Sequence, residues 1–492
     1  MMATPDPPPP PHPPPLETLD HTFTPQTWRP IITASFPSKP SSFLAALSEM
    51  FEHPEHNTSW ILRSDTLFDS ACSERGEPAP EPRSISIPFY AATRTLLRRF
   101  IPRNPARDAP ALQTCHFLTH TSLEGEIREL VVYLNHGDTA EATPYYLPKV
   151  KGVGWLLCPS TSAQEGYIVS LLYAYFPSQA PVRKGDRLQR TAQHLLERPL
   201  KLAKGIEEGY IKRVHHDLII PREAFQDLYL TLRTRHAARL CSGWREKTDP
   251  KKHVFEDILI AAFLISLWRG MYPGAEKSGW VGFVDIGCGN GVLVDVLLRE
   301  GWSGEGWDAR ARKSWEGFEE STRSRLGENI LVPWVLGEAG EGEHDGRFPA
   351  GTFIISNHAD ELTPWTPILA ARSGCPFLVI PCCSHALDGS RKRFPPPKEE
   401  EDTSDLRLNK NLSKSTYASL CAYIEGLARE CGWVVEREIL RIPSTRNVGI
   451  LGRRRRDGVV VDLEMLVEKE GGAAGWREKI EALKKKEAVA GH

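Results

Sequence analysis
The sequence contains no unbroken apolar run of about eighteen residues, the length a helix needs to cross a bilayer. Its best stretch, Val254 to Trp268, is interrupted by Glu256 and Asp257. It also lacks an excess of either charge: 61 Lys and Arg stand against 63 Asp and Glu, for a formal net charge of −2. No global field therefore announces a polyanionic partner, and any nucleic-acid binding has to come from local basic patches. An apolar signal core is missing from the first fifteen residues, which are mostly proline. Cysteine is sparse and scattered, ten in 492 residues, which reads as reduced intracellular thiols. A cytoplasmic protein without a membrane span is the expectation.

What is present is ordinary for globular domains: 40% hydrophobic and 25% charged residues, over a length that suggests two to three domains. Residues 1–15 cannot bury apolar surface and are expected to form a disordered, polyproline-like tail. Residues 16–245 read as an α+β region. Its strands are expected at Val131–Leu134, Gly152–Leu157 and Tyr167–Tyr173, with a loop over 75–83 around Pro78, Pro80 and Pro82. The stretch 187–245 reads as helical, with Pro199 breaking or starting a helix. From Arg183 to Asp257, 17 Lys and Arg outnumber 11 Asp and Glu, which marks either a solvated helical face or a region that positions RNA.

Near residue 246 the pattern changes to helices alternating with short apolar strands. Helices are expected at His253–Arg269, Gly291–Glu300 and Ser415–Cys431. Strands are expected at Trp280–Ile286, Glu305–Trp307, Leu331–Leu336, Thr352–Ser356, Phe377–Ile380, Val434–Ile442 and Val448–Gly452. Such alternation implies a doubly wound, mostly parallel sheet, and the short connection Pro443–Asn447 makes its last two strands an antiparallel hairpin. The acidic insert Glu399–Asp402 reads as a loop. Residues 458–492 read as a tail with one further helix, Trp476–Ala488.

Phe283-Val284-Asp285-Ile286-Gly287-Cys288-Gly289-Asn290-Gly291 falls where a strand ends and a helix begins. The G-x-G-x-x-G spacing of dinucleotide binders fails here, because position 292 is Val, and the G-K-[ST] of a phosphate loop is absent. What remains is D-x-G-x-G-x-G, similar to the first motif of S-adenosylmethionine binders, whose ligand carries an ammonium and a sulfonium and so welcomes an acid. Asp308, 23 residues beyond Asp285 at the next strand's end, is placed to accept ribose hydroxyls. Asp285, Gly287, Gly289, Asn290, Gly291 and Asp308 are the candidate cofactor residues, with Asn357 at the tip of a later strand.

That later strand leads into Ser356-Asn357-His358-Ala359-Asp360-Glu361. The N-P-P-[YF] found in many base-amine methyltransferases is absent, which leaves room for an oxygen target. His358, Asp360 or Glu361 could remove a hydroxyl proton; equally, Asp360 or Glu361 could cap the next helix. Cys382, Cys383 and His385 follow the next strand, and with His358 they suggest a metal cluster, but adjacent cysteines lack the usual ligand spacing. No metal is expected, and packing of the thiols around the cofactor is the preferred reading. Arg391, Lys392, Arg393, Arg446, Arg453 and Arg454 form the best electrostatic footprint for phosphates, although the run Arg453–Arg456 also reads as a nuclear-localisation-like string.

Five blocks in order, KTDPKKHVFED from Lys247, VDIGCGNG from Val284, NHADELTPW from Asn357, PCCSH from Pro381 and LRIPSTRNVGILGR from Leu440, closely resemble the tRNA (uracil-2′-O)-methyltransferase family over roughly residues 110–456. The resemblance implies a Rossmann-like class I methyltransferase sheet over 246–457, S-adenosyl-L-methionine as donor, and ribose methylation of uridine 44 in serine tRNA. It leaves room for an accessory protein in tRNA choice. The K-D-K-E tetrad of other ribose methyltransferases is not recognisable, so the resemblance names no base. A protein or small-molecule methyltransferase on the same fold, and a non-catalytic RNA-binding module, are the competing readings.

Overall fold
The structure, a computed structural model, describes residues 28–72, 80–160, 166–177, 179–183, 185–210, 216–274, 279–396, 415–479 and 481–482. The proline-rich tail, the acidic insert Glu399–Asp402, part of the 75–83 loop and the far end of the expected C-terminal helix lie outside these residues. The chain divides into two compact units, Met1–Ile211 and Lys212–His492. No helix among the described residues is long and apolar enough to cross a membrane.

The first unit is more regular than its sequence suggests. It contains β1 (Trp28–Phe36), α1 (Pro40–Glu52), β2 (Ile61–Asp69), β3 (Ala91–Pro102), β4 (Ala111–Thr121), β5 (Ile127–Asn135), β6 (Gly152–Pro159), β7 (Tyr167–Ala174) and α2 (Arg187–Glu207). The strands form one antiparallel sheet in the order β1-β7-β6-β5-β4-β3-β2, and both helices pack into a core on it with Phe43, Leu47, Trp155 and Leu196. Arginines within strands such as β3 blur the alternation that would have announced them. One of these, Arg98, is buried. It is held by carbonyls at the end of α1 (Met50 at 3.4 Å, and Phe51), by Gln113, and by the faces of Phe51 and Phe100. Pro199 neither breaks nor starts a helix: α2 runs through it. Proline lacks the N–H that would bond the carbonyl of Leu195 four residues back, and the indole Nε1 of Trp155 donates to that carbonyl instead, at 2.9 Å.

The second unit opens with α3 (Arg222–Ser242) and α4 (Pro250–Met271) and continues with β8 (Phe283–Ile286), α5 (Val292–Arg299), β9 (Gly304–Asp308), α6 (Glu320–Arg323), β10 (Leu326–Glu328), β11 (Ile330–Leu331) and β12 (Glu343–His344). It closes with β13 (Phe353–Asn357), α7 (Thr366–Ser373), β14 (Phe377–Ile380), α8 (Thr416–Glu430), β15 (Trp433–Ile439), β16 (Val448–Arg455) and α9 (Leu463–Lys469). The main sheet has the order β10-β9-β8-β13-β14-β16-β15, in which β16 runs against its neighbours. Successive side chains leave a strand on opposite faces. Thus Phe353, Ile355, Leu378 and Ile380 enter the core under α3, α4 and α5, while Ile354, Phe377 and Val379 enter the core under α7 and α8. This is the doubly wound α/β sheet with an antiparallel terminal hairpin that the alternation implied.

Three boundaries differ from the sequence expectation. The first unit ends at Ile211 rather than at 245, because Phe225, Leu228 and Leu232 of α3 share a core with α4. The strand expected at Leu331–Leu336 shrinks to β11, since Pro333 cannot donate to a ladder and instead begins a tight turn over Trp334–Leu336. The segment after 457 is not a detached tail. Leu466 and Val467 of α9, with Ala473 and Trp476, are buried in the second core, and residues 474–479 are helical.

Candidate functional site
The strand-to-helix turn after β8 is built by its glycines. Gly287, Gly289 and Gly291 have φ of 75°, 52° and 74°, a region that other residues enter at a cost. At Gly287 an added Cβ would come within 3.1 Å of the Ala359 Cβ, whereas at Gly289 it would meet nothing within 4 Å. The turn is tied to the neighbouring strand. Gly287 and Cys288 donate to the Trp307 carbonyl at 2.8 and 3.0 Å, and Gly289 N–H donates to Asp308 Oδ2 at 3.0 Å. Asn290 Oδ1 accepts from Val292 N–H at 2.7 Å and so closes the first turn of α5.

Above this turn lies a cavity of about 570 Å³, within the usual range of small-molecule sites. It opens at the carboxyl ends of β8, β9 and β13, where doubly wound sheets bind ligands. Of the candidate cofactor residues, Gly287, Gly289, Asn290, Asp308 and Asn357 line it. Asp285 and Gly291 do not. Asp285 is 1% exposed beneath the turn, with Oδ1 unpartnered among the described residues. Burial, then the charges of Asp257 and Asp308, raises its carboxyl well above the usual range. Gly291 sits under the turn as the N-cap of α5. The motif's acid thus stands beneath the cavity rather than on its wall.

Beside Asp308, Asp360 and Glu361, two further acids reach the cavity from α4, which starts at the cap Asp249 followed by Pro250 and presents Lys252, His253, Glu256 and Asp257. Asp257 accepts from Asn290 Nδ2 and Asn357 Nδ2, each at 3.4 Å, bridging the turn after β8 and the end of β13. Burial first, and Glu256 in addition, push its carboxyl up to about 7 against the pull of the two amides. Sequence reasoning missed Glu256 and Asp257 as site residues. The available signal was two adjacent acids within an otherwise apolar helix.

After β13, His358 takes a positive φ of 54° and its Nε2 lies 3.2 Å from Glu256 Oε1. Asp360, also at positive φ, accepts from the Cys382 thiol at 3.0 Å. Glu361 pairs with Lys479, and its Oε1 lies 3.9 Å from His385 Nε2. Neither acid caps α7, whose N-cap Trp365 makes no side-chain bond. Ligand atoms of Asp360, Cys382 and Cys383 lie within 4.8 Å of one another. His385 and His358 do not join that group, so the two-thiolate, two-imidazole arrangement is not formed. Burial raises the Cys383 thiol as well.

Of the basic candidates, Arg446 lines the cavity, with its guanidinium 4.5 Å above the Tyr417 ring. Arg391, Lys392, Arg393 and Arg454 are exposed away from the cavity lining. Arg453 forms a two-pronged pair with Glu436 across the hairpin, one contact at 2.6 Å. Trp476 and Lys479 also line the cavity, a contribution from the C-terminal segment that no local sequence signal announced.

Comparison with known proteins agrees with this arrangement. Residues 7–213 match the family model "TRM44-like, N-terminal bet v1-like domain", and residues 219–333 match "Predicted AdoMet-dependent methyltransferase". A tRNA (uracil-O(2)-)-methyltransferase of Neurospora crassa is 41% identical over 489 residues, covering 93% of this chain and 93% of the relative. One from Yarrowia lipolytica is 36% identical over 92% of this chain and 94% of its own length. The Saccharomyces cerevisiae protein of the same name is 37% identical over 79% of this chain and 75% of its own. With a glycine turn and a cavity at the strand ends, and with likeness extending through both units, the chain belongs to the tRNA (uracil-O(2)-)-methyltransferase family.

Proposed function
We propose that the chain methylates the 2′-oxygen of a uridine ribose in tRNA, with S-adenosylmethionine as donor. The observation that carries this reading is the cavity itself, bounded by the glycine turn, Asp308 and the α4 acids in a chain of this family. The residues present fit the donor. Asp308 still has lone pairs for a ribose diol, Ala309, Ile330 and Leu331 offer apolar surface for a flat base, and Asp257 and Glu256 offer carboxylates to a cationic ligand. When bound, S-adenosylmethionine supplies a methyl group made electrophilic by its sulfonium.

The chain's own part is to align the attacking oxygen and to take its proton. Alignment contributes the larger share of such catalysis. Of the three candidate bases, His358 is the one joined to a second cavity-lining acid; Asp360 is engaged with Cys382, and Glu361 with Lys479. The ribose proton passes to the Glu256–His358 pair, in which each side chain holds the other in place. Arg446 at the cavity, with Arg391, Lys392, Arg393 and Arg454 outside it, contacts phosphates; Arg453 is neutralised by Glu436. Following the family resemblance, the target is uridine 44 of serine tRNA in the cytoplasm, with an accessory protein assisting tRNA choice.

The test is transfer of labelled methyl from S-adenosylmethionine to tRNA, with nucleoside mass spectrometry of the product. The expected product is 2′-O-methyluridine at one alkali-resistant linkage. Label in protein alone would overturn the reading.

A further inference from the structure
We infer that Asp257 on α4, and not Asp285 of the glycine motif, is the carboxylate that receives the ammonium group of the methyl donor. This rests on the donor occupying the cavity described above.

The two acids differ in access. Asp285 lies beneath the turn and outside the cavity wall, while Asp257 forms part of that wall. Asp308, the third acid of the group, already has a cation, Arg312 Nη2 at 3.3 Å, besides the Gly289 and Arg310 N–H groups, so its remaining lone pairs suit neutral hydroxyls rather than a second cation. Asp257 has only two long amide contacts, at 3.4 Å, and no cation pairs with it among the described residues. The acids nearest in charge to it are Glu256 on its own helix and Asp285 from β8; Lys252 and His253 of α4 line the same cavity without pairing with it, and His358 from the loop after β13 is engaged with Glu256. A buried carboxylate without a counter-charge is costly to ionise, so the site is completed by a cation.

The chemistry selects which cationic centre. A sulfonium donates no hydrogen bond, whereas an ammonium carries three donors and needs acceptors. Asp257 retains free lone pairs, and Asn357, which bonds it, carries an Oδ1 that has no partner among the described residues. A carboxylate flanked by an amide oxygen suits an amino acid's ammonium better than a sulfur.

The experiment is calorimetric titration of the full chain with S-adenosylmethionine, S-adenosylhomocysteine and 5′-methylthioadenosine, which lacks the amino-acid end. D257N is expected to weaken the first two by roughly ten- to hundred-fold, the scale of a lost charged hydrogen bond, while 5′-methylthioadenosine stays within about two-fold. D285N, a change beneath the wall, is expected to affect all three ligands in parallel. A measurement on the unaltered chain needs no variant: below pH about 7, affinity for S-adenosylhomocysteine falls by up to about ten-fold per pH unit, and affinity for 5′-methylthioadenosine does not. Equal losses for all three ligands in D257N, or none, would overturn the assignment while leaving donor binding intact. If the unaltered chain binds none of them, the functional reading fails together with the inference.

Discussion

His358 Nε2 lies 3.2 Å from Glu256 Oε1, and this contact joins the loop after β13 to helix α4, 102 residues earlier in the chain. The positive φ of His358 turns the backbone where that loop leaves the strand. Replacing His358 by Ala is expected to lower kcat by about 10²- to 10⁴-fold, the usual range for a general base, and to change donor affinity by less than about three-fold. Single-turnover transfer to tRNA alongside calorimetry separates the two effects. A H358A enzyme with unchanged kcat would remove the pair from the chemistry. E256Q, which keeps the shape but not the charge, is expected to lower kcat by a smaller factor than H358A, with donor affinity again little changed.

Gly287 supports a stability prediction. Its φ of 75° and the 3.1 Å approach to the Ala359 Cβ mean that G287A strains the turn twice over. A loss of about 1–3 kcal/mol is expected, read by urea denaturation, together with weakened donor binding. Full retention of both would show that the turn relaxes at no cost.

Asp257 makes apo stability depend on pH, with a defined sign. Its carboxyl is raised to about 7 from an ordinary value of 3.8, so the folded chain holds this proton where the unfolded chain has lost it. Its contribution is complete below pH 3.8 and is lost as pH rises through about 7. Denaturation of the unaltered chain and of D257N, compared between pH 5 and pH 8, is expected to show a decline with rising pH that the variant lacks.

In the first unit, Trp155 and Pro199 form a pair through one carbonyl. W155F strips the Leu195 oxygen of its donor and is expected to cost about 1–3 kcal/mol. P199A restores a backbone N–H able to reach that oxygen. The double variant is therefore expected to recover much of the loss, an interaction that a double-mutant cycle measures. Additive losses would show that the proline's missing donor is not what the indole replaces.

Trp476 is 3% exposed, and its Nε1 donates to the Leu331 carbonyl at 2.7 Å. W476A is expected to cost about 3–5 kcal/mol and to weaken donor binding by opening the cavity wall beside β11. Unchanged binding at reduced stability would confine the segment to a packing role.

Much of the second unit was legible because its signals are local. The runs at Phe283–Ile286, Phe353–Asn357 and Phe377–Ile380 are short and mostly apolar without alternation, as strands covered on both faces tend to be. Glycine spacing located the turn, and Asp308 followed from the strand after it. What sequence reasoning misplaced depends on distance along the chain. Trp476 meets a carbonyl 145 residues away, and α3 belongs with α4 through a shared core although its charged surface resembles α2. Asp285 lies beneath the cavity and Asp257 on its wall for the same reason. A motif gives the acid's position in the chain, but only the packing of α4 against the strand ends shows which carboxylate reaches the cavity.

The segment carrying Trp476 and Lys479 leaves the ribosome after every strand of the sheet, yet it supplies one side of the cavity and the lysine that engages Glu361. A nascent chain halted after β16 holds the glycine turn and both α4 acids but has one side of its pocket open to water. Competence to hold a ligand is thus acquired late in synthesis, once this last segment has been made and has packed beside β11.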